Sequence, residues 1–188
     1  MADNFRYRDG ETNPVLARVT TAQGITLGDC LGASTGFLYG GGDQAWVDLS
    51  TSQYNFAANF AGVAMQRKTA GTAKPGAGGG MDNRLRVATE GEFEFDTPAS
   101  TLAFGQLLGL SKASGNALDP QKLEYVSDLT RAVARVTRPK TVAASTTVFC
   151  RIFSKHITKC MFSNQFIFWR NFIHILIVLV WLTGSLID

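Results

Sequence analysis

Gly32–Gly36 is the segment whose residue types could support covalent catalysis. Its sequence, Gly-Ala-Ser-Thr-Gly, fits the G-x-S-x-G pattern, which exposes a nucleophilic serine on a sharp turn between a strand and a helix. No helix signal follows Gly36, and the two histidines, His156 and His174, lie in an atypical C-terminal tail. We therefore interpret Ser34 as part of a small-residue turn. A hydrolase function would be supported by this serine alone, without a catalytic base.

Two glycine-rich segments match phosphate-binding loops only in part. Gly71–Gly76 begins like a P-loop, but Ala77 and Gly78 stand where Lys and Ser/Thr would hold the phosphates and Mg²⁺. Gly40–Ala45 fits G-x-G-x-x-A, but neither a helix signal nor the acidic residue of a dinucleotide site follows it. Both segments are interpreted as loops, and we expect no cofactor.

Glu90, Glu92 and Glu94 alternate with glycine and phenylalanine, which predicts a strand with one wet and one buried face. Three carboxylates on one strand face could bind a divalent cation or supply an acid/base pair. The sequence offers no His, Asn or second carboxylate cluster beside them, so we interpret them as a solvated face and expect no metal.

A basic stripe follows this strand and could meet phosphates. Aromatic residues are not interleaved with it, so we expect no nucleic-acid partner. The stripe consists of Arg131, Arg135, Arg138 and Lys140.

The chain of 188 residues joins two compositions near residue 145, since 18 of its 19 glycines precede that point. Residues 1–128 hold 10 Lys/Arg and 14 Asp/Glu, a net charge of −4, whereas residues 129–188 hold 8 and 1, a net +7. Hydrophobic residues make up 45% of the chain, which excludes wholesale disorder. Cys30, Cys150 and Cys160 fit neither a disulfide framework nor a zinc spacing, and indicate a reducing compartment during synthesis.

The apolar stretch 166–187 has about the length of a membrane span, with Arg170, Asn171 and His174 near one end. Two other interpretations compete with a span. The stretch could be a buried core segment, or a non-native extension translated from unselected sequence, since residues 146–188 contain neither Ala nor Pro. We favour the extension.

Three regions are predicted along the chain. Residues 1–13 form a flexible N-terminal arm without a signal peptide, residues 14–140 a β domain, and residues 141–188 the atypical apolar and basic tail. Within the β domain, Trp46–Leu49 is predicted as a strand, and Gln53–Phe60 as one helical turn or an irregular crossover.

An internal echo supports a fold built of similar hairpins. Thr26–Ser34 aligns with Ala103–Ser111 at four identical positions, one of which is Gly28 aligned with Gly105. Both glycines are predicted to occupy equivalent turns with positive φ. The tetrapeptide Ala-Arg-Val-Thr also occurs twice. The predicted class is mainly β, a small β-barrel or β-sandwich of short antiparallel strands.

The order of these elements resembles the capsid cement, or head decoration, proteins of tailed bacteriophages, over residues of about 5–139. The resemblance rests on a polar arm, the Gly28–Asp29 turn, Phe60–Ala64 (FAGVA), a glycine-rich loop, Arg86–Phe95 (RVATEGEFEF), a second turn at Gly105–Gly109 and a final Ala/Val strand with Arg135.

The resemblance implies a non-catalytic β protein that forms homotrimers and binds the major capsid protein on the outer surface of the virion after synthesis in the host cytoplasm. From the residues themselves, the arm is the candidate contact, because Tyr and Arg are common interface anchors. Its four candidate residues are Phe5, Arg6, Tyr7 and Arg8. The alternative function is a β-rich binding domain tethered to a membrane by its tail.

Overall fold

The computed structural model describes residues 7–43, 46–72, 83–141 and 147–154, all within one unit, Met1–His156. The predicted membrane-like segment 166–187 lies outside them. Their elements are β1 (Tyr7–Asp9), β2 (Val15–Arg18), β3 (Cys30–Ser34), β4 (Phe37–Gly40), α1 (Leu49–Ala58), β5 (Phe60–Ala64), β6 (Arg84–Ala88), β7 (Glu90–Asp96), β8 (Leu107–Lys112), β9 (Leu118–Tyr125), β10 (Ala134–Val136) and β11 (Thr147–Phe153), with 3₁₀ turns at Gly41–Asp43 and Leu129–Arg131.

The strands form two sheets. One has five strands in the order β2-β6-β5-β3-β4, and the other has six in the order β1-β7-β11-β10-β8-β9. Nearly all neighbouring strands are antiparallel, and apolar side chains from both sheets share one core. The predicted class, a mainly β fold of short antiparallel strands, is confirmed, and the two sheets fit the predicted sandwich.

The boundary predicted at residue 140 is wrong, because a strand of the sheet lies beyond it. β11 pairs along its whole length with β7, from Thr147 opposite Asp96 to Phe153 opposite Glu90, and its other edge pairs with β10. Val148, Cys150 and Ile152 point into the core with at most 1% of their surfaces exposed. The beginning of the predicted tail is therefore a central strand of the β domain.

The predicted flexible arm also differs from the structure. β1 pairs with β7 as the outer strand of the six-stranded sheet, with Tyr7 opposite Phe93. Further along, the carbonyl oxygens of Thr12 and Asn13 accept hydrogen bonds from the backbone N–H and the hydroxyl of Thr89. Residues 7–13 are thus attached to the β domain, and residues 1–6 lie outside the described part.

The two turns of the sequence echo have matching geometry. Gly28 and Gly105 have φ of 89° and 79°, the positive values expected of both. The N–H of Gly28 donates to the carbonyl of Ala64 at 2.9 Å, and that of Gly105 donates to the carbonyl of Val136 at the same distance. Because an L side chain is disfavoured at positive φ, glycine lets the chain turn here before β3 and before β8.

The equivalence extends to whole sheets. Without β1, the six-stranded sheet has the order β7-β11-β10-β8-β9. When the five strands of each sheet are numbered along the chain, both sheets have the order first, fifth, fourth, second, third. A single parallel bridge also joins the outer strands in each case, Val19 to Leu38 and Asp96 to Lys122. The described residues therefore contain two halves with one topology, the first with strands β2–β6 and the second with strands β7–β11. The two copies of Ala-Arg-Val-Thr begin on β2 and on β10, which are not equivalent strands.

The one α-helix among the described residues begins where a strand was predicted. Asp48 is the N-cap, and its side chain accepts a hydrogen bond of 2.8 Å from the N–H of Thr51. The helix buries Phe56 and Ala57 together with Ser52 and Gln53. The buried side-chain amide of Gln53 is hydrogen-bonded to strands of the second half. Its Nε2 donates to the carbonyl oxygen of Leu110 at 2.8 Å and to the carboxylate of Glu124 at 2.7 Å. Helix α1 thus connects the two halves.

One cross-strand row distinguishes the halves. In the first half, Cys30 lies opposite Val63, and Val63 opposite Ala88, and all three are fully buried. The equivalent row of the second half, Leu107, Arg135 and Arg151, is partly or fully exposed. The outer face of the second half is consequently an open, charged surface.

Truncation tests the position of β11. We expect residues 1–156 to unfold cooperatively in urea and residues 1–140 to lack a cooperative transition. Loss of Val148 and Ile152 alone removes two buried side chains at roughly 1.5–3 kcal/mol each, which is a large part of a typical total stability of about 5–15 kcal/mol. Near-UV circular dichroism and urea unfolding measure the difference. Equal transitions in the two proteins would contradict the described sheet.

Candidate interaction surface

A cluster of charged and aromatic side chains covers the outer face of the six-stranded sheet, and we call it the charged face. β7 contributes its three glutamates to this face because its buried and half-buried residues alternate, which confirms the predicted period-2 pattern. β1, β11 and the segment after β10 supply the other members. The charged face consists of Arg8, Glu90, Glu92, Glu94, Arg138, Phe149 and Arg151.

Each of the three glutamates has an arginine partner. Arg8 binds Glu94 through Nε, at 3.0 Å, and also through Nη2. The Nη2 atom of Arg138 lies 3.3 Å from Glu92, and that of Arg151 lies 4.0 Å from Glu90. The solvated carboxylates predicted from sequence are therefore neutralised by side chains from three other segments, and this arrangement is that of a structural network rather than of an acid/base pair.

Phe149 lies at the centre of the charged face. The Arg138 guanidinium is 4.5 Å from the centre of its ring, and the Arg8 guanidinium is 5.7 Å away. Both distances are within the range of cation–π attraction. Because Phe149 is opposite Glu94 on the adjacent strand, the ring holds the two arginines beside their carboxylates.

Tyr7 and Arg8, two of the four predicted contact residues, lie at the edge of this face. The Tyr7 ring contacts Phe93 edge-on at 5.7 Å, and its hydroxyl donates to the carbonyl of Gly10. The side chain of Arg8 remains 46% exposed while it binds Glu94. The other two predicted residues, Phe5 and Arg6, lie outside the described residues.

The basic stripe predicted from sequence is divided by the fold. Arg131 donates to the hydroxyls of Ser50 and Ser127, at 3.1 and 3.4 Å. Arg138 belongs to the charged face, and Lys140 is buried where its backbone pairs with Leu102. Arg135 is exposed on β10 and has no side-chain hydrogen bond or ion pair with the described residues, so the four residues do not form one surface.

Ser34 lies in a hairpin rather than in a nucleophile elbow. Thr35 and Gly36 connect β3 to β4, with φ of 50° and 84°, and Ser34 pairs with Phe37 across the turn. Positive φ at both central residues is the signature of a two-residue hairpin turn. Its surroundings are strand, turn and strand, so the strained strand-to-helix geometry of a hydrolase is not formed here.

Asp29 is a buried acid that sequence reasoning did not single out. Burial raises the pKa of its carboxyl group, and such a shift marks a candidate for chemistry. Both of its oxygens are engaged, because one accepts from the N–H of Thr26 at 2.7 Å and the other from Nε2 of Gln121 at 2.9 Å. Asp29 therefore links the first half to β9.

The two cysteines in the described part, Cys30 and Cys150, are free and fully buried. Burial raises the pKa of both thiols, which keeps them protonated and unreactive. No group of three His, Cys, Asp or Glu side chains in residues 7–43, 46–72, 83–141 and 147–154 could hold a metal ion. Across the same ranges, no helix has the length and apolar character needed to cross a membrane.

Comparison of the chain with protein families and with curated proteins found no match to either. The proposals below consequently rest on the residues and geometry of this chain and on its resemblance to the phage decoration proteins.

Two members of the charged face were not predicted from the sequence. Phe149 and Arg151 lie in the segment that was assigned to the tail, although the alternation of apolar residues from Val148 to Ile152 was a strand signal. Arg8 and Glu94 are 86 residues apart, so no local pattern could show their contact.

Replacement of Phe149 tests the structural contribution of the cation–π contacts. Phe149→Leu keeps an apolar side chain but removes the ring, so we expect it to lower the free energy of unfolding by about 1 kcal/mol. Phe153→Leu is the matched control, because Phe153 lies on the same strand and face as Phe149. Urea unfolding of both variants measures the effect, and equal losses would contradict a specific role for the Phe149 ring.

Proposed function

We propose that this chain is a structural virion protein that binds the outer surface of a phage capsid and stabilises the shell without a chemical step. The observation that carries the proposal is the charged face, a rigid surface of arginine, glutamate and phenylalanine on paired strands. Arginine and aromatic residues are enriched among the residues that dominate protein interfaces. Side chains fixed on strands also lose less conformational freedom on binding than side chains on loops.

The strand pairing of β1 refines the part assigned to the arm. Because Tyr7 and Arg8 are already held against Phe93 and Glu94, their side chains need little further ordering on binding. Arg8 is nevertheless exposed enough to contact a partner. In this proposal the major capsid protein contacts the charged face, while Phe5 and Arg6 extend the contact. A homotrimer is the oligomer implied by the resemblance, and it remains part of the proposal.

Stabilisation of the shell follows from mass action alone. A protein that binds the assembled lattice and not the dissociated subunits stabilises it by RT ln(1 + [L]/Kd), which is about 2.7 kcal/mol at a hundredfold excess over Kd. No cofactor or catalytic residue is required. The single requirement is a surface that recognises the lattice.

The first step is to establish whether a major capsid gene lies beside this gene, and shells assembled from its product then provide the test. Adding the full chain should raise the melting temperature of the shells in a concentration-dependent way, and the chain should co-sediment with them. Deletion of residues 1–6, which leaves β1 intact, should weaken both effects if Phe5 and Arg6 are anchors. An effect that survives this deletion would place the contact on the charged face itself.

An unchanged melting curve at saturating protein, together with no co-sedimentation, would overturn the capsid proposal. The tethered domain would then be tested by fractionation of cells that express the full chain or residues 1–156. A membrane-bound full chain beside a soluble shorter protein would favour that alternative.

A further inference from the structure

Two arginines that are direct cross-strand neighbours occupy the exposed side of the six-stranded sheet. Arg135 on β10 is opposite Arg151 on β11. Both are exposed, while the residues on either side of each, such as Ala134 and Ile152, are buried. Like charges directly opposite each other on neighbouring strands destabilise a sheet, so this pairing requires an explanation.

The carboxylates of the charged face neutralise this pair only in part, because they lie on the Arg151 side, where Glu92 is directly opposite Arg151. Glu92 is bound to Arg138 at 3.3 Å, and Glu90 reaches Arg151 only at 4.0 Å. Arg135 makes no ion pair or side-chain hydrogen bond with any residue that the structure describes. Excess positive charge therefore remains at the centre of an open surface.

The equivalent positions in the first half show that the fold itself does not need arginine here. Val63 and Ala88 are opposite each other where the second half has Arg135 and Arg151. They are fully buried because the second half covers them. The same strand topology thus forms around small apolar residues, and Arg135 is explained neither by packing nor by an ion pair with a described residue.

We propose that Arg135 and Arg151 together bind a carboxylate side chain of a protein partner, which under the proposed function is the major capsid protein. Two planar guanidinium groups on adjacent strands can each donate to one carboxylate, and hydrogen bonds between charged groups are about twice as strong as those between neutral groups. Leu107, the next residue in the same row, offers an apolar contact beside them.

The surrounding charge selects a protein carboxylate over a nucleic acid. Glu90, Glu92 and Glu94 lie along β7, on the far side of β11 from Arg135. A polynucleotide places a negative charge at every phosphate, so its neighbouring phosphates would be repelled by these glutamates. An isolated Asp or Glu side chain brings a single negative charge and therefore meets less of this repulsion.

Neutralisation of either arginine should weaken binding, and at Arg135, which has no ion pair with a described residue, it should do so without weakening the fold. In the full chain, Arg135→Gln and Arg151→Gln should each reduce affinity for the shells by roughly tenfold, the factor that corresponds to about 1.4 kcal/mol. Arg135→Lys, which keeps the charge but loses the planar donors, should lie between Arg135→Gln and the wild type. The urea midpoint of free Arg135→Gln should stay constant or rise, whereas a structural role for Arg135 predicts a fall.

Arg18→Gln is the matched control. Arg18 on β2 is also exposed and directly opposite an arginine, Arg84, but Arg84 has an interaction of its own. Its neutralisation removes the same charge and should change affinity for the shells by less than about twofold. Equal losses for Arg18→Gln and Arg135→Gln would show a nonspecific charge effect and overturn the proposal.

A second probe separates this inference from the proposed function. The Nε–H resonances of the arginines are followed by NMR while the peptide Gly-Glu-Gly-Glu-Gly, or a single-stranded oligonucleotide, is added. Shifts of Arg135 and Arg151 with the peptide, and not of Arg18, would support the carboxylate site even if the shells are not bound. No shift, or stronger binding of the oligonucleotide, would overturn it. Shells bound equally by wild type and variants would overturn it while leaving the capsid proposal in place.

Discussion

The insertion of β11 between β7 and β10 is the contact on which the rest of the molecule depends. It completes the six-stranded sheet, and its buried side chains fill the core that the two halves share. Its exposed side chains, Phe149 and Arg151, hold Arg8, Arg138 and the glutamates of β7 on the opposite side. One strand therefore supports both the fold and the candidate interaction surface.

The two halves have the same topology but opposite surroundings. In the first half, the sheet face that carries Cys30, Val63 and Ala88 packs against the second half and is part of the shared core. The second half replaces two of these small apolar residues with Arg135 and Arg151, and charged residues do not enter a core without partners. The corresponding face of the second half is therefore charged and exposed, and the proposed carboxylate site lies on it.

Strong local signals made part of this structure predictable from sequence. The alternation from Glu90 to Phe95 predicted strand β7. Gly28 and Gly105 indicated turns that require positive φ. Helix α1 was predicted incompletely because its buried side includes Gln53, whose hydrogen-bond partners come from the distant β8 and β9. β11 was assigned to the tail because the composition of residues 146–188 was given more weight than the alternation within Thr147–Phe153. The charged face depends on contacts between distant segments, which a single sequence does not reveal.

Native-state hydrogen exchange at β11 is the measurement that tests this account most directly. In the full chain, the hydrogen-bonded amides of Thr147–Phe153 should exchange as slowly as those of β7, because both strands can open only when the whole sheet unfolds. Exchange of the β11 amides at the rate of local opening, while those of β7 stay protected, would contradict the account. It would show that β11 is an appendage and that the sheet is complete without it.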